Sequence, residues 1–268
     1  MTQSPQSIWT DVERIRAQAP LIHNITNFVV MNNTANALLA LGASPAMVHA
    51  PEEVEDFVSI SNALVVNIGT LDATFIAGMR LAMRQARALG KPIVFDPVGV
   101  GATTYRNQVS EELLALAAPN IIRGNASEIM ALAGLNAQTK GVDSLYGSDA
   151  AIDAARRLSS AWGSVVVISG EKDYIIQGNR TAIITNGHPL MTKVTGMGCT
   201  ATALTGAFAA VNADYFLAAT HAMAVMGIAG ELAVNKKPSP GSLQVNFLDA
   251  LYELTETTII DRLQLTEA

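Results

Sequence analysis

The chain is organised around the stretch Val194-Thr195-Gly196-Met197-Gly198-Cys199-Thr200, which runs directly into a segment of small residues at 201–208. Its two glycines allow the backbone to turn tightly and to approach a ligand closely. The helix predicted to begin there points its free N–H groups and the positive end of its dipole at the turn. Because a phosphate or a developing oxyanion is stabilised in such a place, we interpret Gly196 and Gly198 as the centre of an anion site.

Two other interpretations of this turn remain open from the pattern alone. Gly196-x-Gly198-x-x-Ala201 matches a relaxed dinucleotide-binding fingerprint, but that motif belongs after the first strand of a βαβ unit, and here it lies three quarters of the way along the chain. The ordinary alternative is a glycine turn that opens a packed helix. The neighbouring motifs favour the anion site.

The composition limits the kinds of partner. The chain has 268 residues, 50% of them hydrophobic and 15% charged, and a net charge of -6. No basic cluster occurs beyond Lys236-Lys237, so neither nucleic acid nor an anionic membrane is an expected partner. So low a charged fraction favours an oligomer that covers part of the surface. No linker is long enough to mark a second domain, and we expect one domain over residues 1–268.

The single cysteine and the N-terminal residues point to the cytoplasm. Cys199 has no partner for an internal disulfide, and the first residues lack the basic start and apolar run of a signal peptide. The most apolar helical stretch, 218–234, contains His221 and Glu231 and is shorter than the roughly 20 apolar residues of a membrane span. We expect it to be a core helix.

Strand and helix patterns alternate along most of the chain. Nearly continuous apolar runs at 63–69, 92–95, 120–123 and 164–170 are separated by helical patterns, which predicts an α/β fold with a mostly parallel sheet and helices on both faces. Residues 174–176 and 181–184 predict an antiparallel hairpin at a sheet edge. The segment Ile22-His23-Asn24-Ile25-Thr26-Asn27 is predicted as a polar turn that contacts a ligand.

Polar side chains follow the predicted strands. In an open parallel sheet, ligands bind beyond the carboxyl ends of the strands. The residues that this rule gathers on one rim are Asn67, Asp96, Arg123, Asn125, Glu128, Ser169 and Gly196.

Two of these residues are acids suited to a hard cation. Asp96 and Glu128 follow neighbouring strands, and Mg²⁺ is held by one or two carboxylates, waters and substrate phosphates. Taken singly, Asp96 is equally well explained as a turn former before Pro97, and Glu128 as a first-turn acid that the helix dipole favours. Beside an anion-binding turn, the pair favours phosphoryl transfer.

Arg123 and Cys199 each have a functional and an ordinary interpretation. Arg123 can offer its planar fork to a phosphate, or form a surface ion pair. The Walker A pattern is absent, which excludes a standard P-loop enzyme. Cys199 lies at a helix N-terminus, where the thiolate is favoured, but a small buried thiol is the commoner role of a lone cysteine. The four histidines show no zinc-binding spacing.

Several collinear motifs together resemble the hydroxyethylthiazole kinase family of the ribokinase-like superfamily, over nearly the whole chain. They are His23-Asn24-Ile25-Thr26-Asn27, Leu41-Gly42-Ala43-Ser44-Pro45-Ala46-Met47, Asn67-Ile68-Gly69-Thr70, Asp96-Pro97-Val98-Gly99-Val100-Gly101-Ala102, Ile122-Arg123-Gly124-Asn125 with Glu128, and Gly196-Met197-Gly198-Cys199.

The resemblance implies ATP-dependent phosphorylation of the primary alcohol of 4-methyl-5-(2-hydroxyethyl)thiazole, with Mg²⁺, in a homotrimer whose sites lie at subunit boundaries. It implies the following roles: Met47, Gly196 and Asn27 contact the thiazole, Arg123 and Ser169 contact ATP, and Asp96 and Glu128 serve the metal and phosphate. The wider superfamily has an aspartate base where this chain has Cys199. The alternatives are a kinase for another small alcohol, such as a hydroxymethylpyrimidine or a sugar, and a nucleotide-binding regulatory protein without turnover.

Overall fold

A nine-stranded sheet forms the centre of the computed structural model, which describes residues 4–134, 148–236 and 239–267. Its strands are β1 Leu21–Ile25, β2 Ser44–Met47, β3 Ala63–Asn67, β4 Ile93–Asp96, β5 Ile121–Asn125, β6 Val165–Ser169, β7 Asp173–Gln177, β8 Arg180–Ile184 and β9 Leu265–Glu267. They lie in the order β2-β1-β3-β4-β5-β6-β7-β8-β9. The pairs from β2 to β6 are parallel and those from β6 to β9 are antiparallel. The predicted mostly parallel sheet is confirmed.

Helices cover both faces of the sheet, as the alternating pattern predicts. They are α1 Pro5–Gln18, α2 Met31–Leu41, α3 Val54–Ile60, α4 Ala73–Ala88, α5 Thr104–Leu116, α6 Ala126–Leu132, α7 Ser148–Trp162, α8 Met197–Val211, α9 Tyr215–Lys236, α10 Pro240–Tyr252 and α11 Glu256–Arg262. A short 3₁₀ helix, Pro189–Lys193, precedes α8. One hydrophobic cluster joins α1, α2, α8, α9 and α10 to one face, and a second joins α3 to α7 to the other.

Helix α8 packs directly against the sheet through small residues. Every residue from Thr200 to Ala209 is buried. A Cβ atom at Gly206 would lie 2.6 Å from Cγ2 of Val65 in β3 and 3.3 Å from Cγ2 of Ile22 in β1. Two carbon atoms cannot approach to 2.6 Å without a shift of one of them, so glycine at this position sets the distance between helix and sheet. The first turn of α8 is thereby held beside the ends of the central strands.

The most apolar helix is longer than expected. The segment Tyr215–Val234 of α9 has 20 residues and is apolar enough to cross a membrane, so the expectation that it is too short is wrong. However, 83% of its apolar window is buried inside the protein, against α8 and α10. The prediction of a core helix is confirmed.

Two local predictions are corrected by the sheet. The predicted polar turn at 22–27 begins as strand β1, in which His23 and Asn24 are buried and bonded to the carbonyls of Val48 and Ile22. Pairing on both sides with β2 and β3 overrides the polar composition. The predicted hairpin is present, but β9 pairs outside it, so β8 is not an edge strand.

A buried polar cluster fastens α1 to α9. Asp11 and His221 are each 1% exposed, and Nδ1 of His221 lies 2.7 Å from Oδ2 of Asp11. The same oxygen accepts from Nδ2 of Asn212 at 2.7 Å, while Arg14, at the surface, donates to Oδ1 at 3.2 Å. Oγ of Ser7 lies 3.3 Å from Nε2 of His221. Each side chain of the cluster is hydrogen-bonded to another member. The loss of Asp11 would therefore leave His221 and Asn212 without their hydrogen-bond acceptor.

We expect Asp11→Ala to lower the free energy of unfolding by about 2–4 kcal/mol, because it leaves the buried ring of His221 and the half-buried amide of Asn212 without their acceptor. Urea denaturation followed by circular dichroism measures this change. Arg14→Ala is the matched control, since it removes a half-exposed partner of the same carboxylate and should cost under about 1 kcal/mol. Equal losses in the two variants would contradict the importance of the buried pair.

Candidate active site

The turn before α8 contains two glycines, and any other residue in their place would force neighbouring atoms to shift. Gly196 is the N-cap residue of α8 and has a φ of 83°, in the left-handed region. A Cβ there would lie 2.6 Å from Cγ1 of Val30, and one at Gly198 would lie 2.7 Å from Nη1 of Arg123. Because glycine has no side chain, no cap covers the first N–H groups of the helix. The turn therefore offers bare backbone donors and the positive end of a dipole.

A chain of buried hydrogen bonds lies beneath the turn. Thr202 of α8 donates to Oδ2 of Asp96 at 2.7 Å, and Nδ2 of Asn67 donates to the same oxygen at 2.8 Å. Nδ2 of Asn27 donates to Oδ1 of Asn67 at 2.9 Å and to Sγ of Cys199 at 3.4 Å. Asn67 and Asp96 meet because they are register partners at the ends of parallel strands β3 and β4. The chain thus begins and ends on α8.

The carboxylate of Asp96 is held in an unusual state. Burial raises the pKa of Asp96 to about 6. The positive charge of Arg123 opposes this shift, and the negative charge of Glu128 adds to it. Its Oδ1 atom is buried and has no hydrogen-bond partner among the described residues. A carboxylate with one oxygen satisfied and one facing no donor is suited to receive a cation.

Glu128 is fixed by backbone groups. Its Oε2 accepts from the amide of Asn125 at 2.9 Å and its Oε1 from the amide of Gly99 at 2.8 Å, while its own amide donates to Oδ1 of Asn125. This is a capping box at the start of α6, with one extra bond to the loop after β4. Each carboxylate oxygen keeps a second lone pair. The predicted proximity of the two acids is consistent with the effect of Glu128 on the pKa of Asp96.

Arg123 and Ser169 lie on neighbouring strands and contact each other. Nη2 of Arg123 donates to Oγ of Ser169 at 2.6 Å. Strand β5 continues to Asn125, so Arg123 lies inside the strand and the predicted strand end at residue 123 is corrected. Sequence reasoning missed Asp173, which accepts from the amide of Gly170 at 3.0 Å. Burial raises the pKa of Asp173 to about 6, although Gly170 and Arg123 lower it.

Met47 lies apart from the hydrogen-bonded chain. It ends strand β2, at the edge of the sheet, and pairs with Asn24 of β1. It is half-buried. The structure therefore places it at the carboxyl end of an edge strand, whereas Asn27 is buried within the network.

Comparisons with known proteins identify the family. A model of the hydroxyethylthiazole kinase family matches residues 12–257. The hydroxyethylthiazole kinase of Syntrophus aciditrophicus is 58% identical over 266 residues, which cover 99% of this chain and 98% of that protein. The chain belongs to the hydroxyethylthiazole kinase family.

Solved structures agree with this hydroxyethylthiazole kinase assignment. The hydroxyethylthiazole kinase protein from Pyrococcus horikoshii OT3 is 43% identical, with a TM-score of 0.91 over 98% of this chain and 99% of that one. A ribokinase-like superfamily protein from Enterococcus faecalis V583 is 14% identical, with a TM-score of 0.66 over 94% of this chain and 90% of that one, which shows the shared fold alone.

The family, the ribokinase-like fold and the kinase activity predicted from the sequence are therefore confirmed. The chain is an enzyme with hydroxyethylthiazole kinase activity, which serves thiamine salvage, and as a kinase it uses ATP as co-substrate. The alternative of a regulatory protein without turnover is set aside.

In this hydroxyethylthiazole kinase, the thiol of Cys199 is protonated at neutral pH. Burial, together with the charge of Asp96, raises its pKa to about 11, although the amides of Asn67 and Asn27 and the charge of Arg123 lower it. The expectation that the helix N-terminus favours the thiolate is wrong, because desolvation and a neighbouring carboxylate oppose the charged form.

We expect alkylation of Cys199 by iodoacetamide to be slow at neutral pH and to accelerate as the pH rises toward about 11, because the thiolate is the reactive form. Cys199→Ala should retain measurable kinase activity, and Cys199→Asp should be active. Alkylation rates and ADP release measure the two effects. A rate plateau at the ordinary thiol pKa of about 8.5, or complete loss of activity in the alanine variant, would contradict this view.

Proposed function

We propose that this site transfers the γ-phosphoryl group of ATP to the primary hydroxyl of 4-methyl-5-(2-hydroxyethyl)thiazole at the Gly196-Met197-Gly198 turn. The observation that carries the proposal is that α8, whose first N–H groups have no side-chain cap, is hydrogen-bonded through Thr202 to the buried Asp96, whose Oδ1 has no partner among the described residues. Phosphoryl transfer needs alignment and neutralisation of charge more than covalent chemistry, and these groups supply both.

The two substrates take opposite sides of the turn in this proposal. Arg123 and Ser169 bind the phosphates of ATP, and Nη1 of Arg123 lies within 2.7 Å of the position that a Cβ at Gly198 would take, so the guanidinium lies beside the turn. Met47, at the end of edge strand β2, and Gly196, at the turn, contact the thiazole. Asn27 acts on the same side and orients Cys199, which faces the substrate without serving as an obligatory base.

Asp96 and Glu128 fit Mg²⁺. Among the described residues no group of three or more acids, histidines or cysteines is gathered for a metal ion, but Mg²⁺ in kinases needs only one or two carboxylates besides phosphate and water. The unpartnered Oδ1 of Asp96 is the donor expected for such a site. When bound, Mg²⁺ neutralises charge on the transferred phosphate. Asn67 and Thr202 hold the other oxygen of Asp96 and so aim Oδ1.

We expect Asp96→Asn, Asp96→Ala and Glu128→Ala each to lower kcat at least about 10²-fold while the fold persists, because charge stabilisation carries most of this catalysis. Coupled ADP assays and circular dichroism measure the two properties. Glu112→Ala is the control, since Glu112 is an exposed acid paired with Arg80 on the surface. Activity within about tenfold of wild type, or about 1.4 kcal/mol of barrier, in the Asp96 and Glu128 variants would remove the metal proposal.

We further propose a homotrimer in the cytoplasm, with sites at subunit boundaries. Phe28 and Val29 are 60% and 65% exposed in the single chain, and they precede Val30, which packs on Gly196. Large apolar side chains exposed beside a site favour a covering subunit. The single nine-stranded sheet supports one domain over residues 1–268. The free thiol of Cys199 suits a reducing compartment.

Light scattering should give about three times the chain mass of 28.2 kDa at micromolar concentration, because a closed ring buries the apolar patch on each subunit. Replacing both Phe28 and Val29 by Ser should lower the observed mass. Tyr252→Ser, at an exposed aromatic residue at the end of α10, should leave it unchanged. A monomer mass for the wild-type chain would refute the trimer and the shared site.

A further inference from the structure

Arg106 joins two loops that carry the site. It lies in the first turn of α5, and its Nη1 donates to the carbonyl oxygens of Ile68 at 2.5 Å and Val98 at 2.7 Å. Its Nη2 donates to the carbonyl of Gly69 at 3.0 Å. Ile68 and Gly69 follow strand β3, and Val98 follows strand β4. One guanidinium therefore connects the backbone beyond two neighbouring strands.

The opposite ends of these peptide groups hold side chains of the site. The amide of Gly69, in the same peptide group as the carbonyl of Ile68, donates to Oδ1 of Asn67 at 2.9 Å. The amide of Gly99, in the same peptide group as the carbonyl of Val98, donates to Oε1 of Glu128 at 2.8 Å. A trans peptide is planar, with C=O and N–H pointing in opposite directions. A donor on the oxygen therefore fixes the direction of the N–H group.

We propose that Arg106 is a positioning residue for the kinase reaction, acting through these two peptide groups on Asn67 and Glu128 at once. Asn67 holds Asp96, so one arginine contributes to the orientation of both acids, in addition to Thr202 and the amide of Asn125. This inference rests on the proposed roles of Asp96 and Glu128. Each peptide also becomes a better donor when its oxygen accepts a charged hydrogen bond, which strengthens the bonds to Asn67 and Glu128.

The two glycines explain why the loops need this support. Gly99 has a φ of 70°, and its conformational freedom allows its peptide group to rotate unless the carbonyl of Val98 is held. A Cβ at Gly69 would lie 2.5 Å from Nδ2 of Asn27, so that loop passes too close to the network for a bulkier, stiffer residue. A planar guanidinium has five donors in a fixed fork, and a lysine ammonium cannot span the same three carbonyls in one plane.

Arg16 provides a matched control. It too is half-buried and donates to three backbone carbonyls, those of Leu251, Tyr252 and Leu254, but these lie at the end of α10 and just beyond it, away from the turn before α8. Arg16→Ala and Arg106→Ala therefore remove the same chemistry from two places. An effect that belongs to the site must differ between them.

Steady-state kinetics and amide hydrogen exchange on the full chain test the proposal. We expect Arg106→Ala to lower kcat about 10²-fold, the size of a small misplacement of catalytic groups, with the KM for the thiazole alcohol within about twofold of wild type. Exchange at the amides of Gly69 and Gly99 should quicken, and guanidinium ions below denaturing concentration should restore part of the lost kcat. Arg16→Ala should leave kcat and these two amides unchanged.

Three results would overturn the proposal. They are a folded Arg106→Ala variant with kcat within about twofold of wild type, unchanged exchange at Gly69 and Gly99, or a loss of kcat that Arg16→Ala reproduces. If Arg106→Ala fails to fold, Arg106→Lys serves instead. We expect this variant to lose part of its kcat and to exchange the amide of Gly99 faster than wild type. Wild-type values for both would contradict the proposal. Hydrogen exchange is measured without substrates, so it tests the contacts of Arg106 separately from the catalytic role of Glu128. A fully active Glu128→Gln variant would contradict that catalytic role, whereas unchanged exchange in Arg106→Ala would contradict the positioning role of Arg106.

Discussion

The burial of the Asp96 carboxylate is the constraint on which the site depends. A charge at 1% exposure is costly, and the fold surrounds this one with Asn67, Thr202 and the positive charge of Arg123. Asn67 and Thr202 satisfy one oxygen, and the other has no donor in the part of the chain that the structure describes. The pKa of Asp96, raised to about 6, shows that the compensation is incomplete. The Mg²⁺ proposed at this oxygen would complete the compensation, so the cost of burying Asp96 and its proposed role have the same cause.

Helix α8 supplies both ends of the hydrogen-bonded chain. Thr202 anchors it at Asp96, and Cys199, one turn earlier, accepts from Asn27. The chain therefore closes through β4, β3, the segment after β1 and back to α8. A closed arrangement of this kind restrains the tilt of the helix relative to the strands more than any single bond would, since a movement of the turn disturbs several bonds together. The rigidity of the turn thus comes from polar contacts as well as from apolar packing.

The sequence predicted the sheet, its helices and most of the site because these depend on local patterns. Apolar runs identified β3, β4 and β6, and the rule of strand ends placed Asp96 and Ser169 correctly on one rim. Prediction from the sequence failed where pairing between strands distant in sequence decides the local structure. Strand β1 contains His23 and Asn24, whose polarity suggested a turn, and the short strand β9 has too few residues for a pattern. Thr202 and Arg106 were missed because their partners are distant in sequence, and nothing local distinguishes them from ordinary helix residues.

The small size of Gly206 has a consequence for how this enzyme tolerates change. Gly206 lies on α8 about 12 Å along the helix axis from Gly198, at a rise of 1.5 Å per residue, and touches neither substrate in the proposed site. Its missing side chain nevertheless allows the helix to rest on Val65 and Ile22. The depth at which the whole helix lies is therefore set near its middle, while the chemistry occurs at its end. Residues that do not contact a substrate can therefore be as restricted in side-chain size as those that do. Substitutions in α8 are limited by the position of the helix on the sheet as well as by solubility and stability.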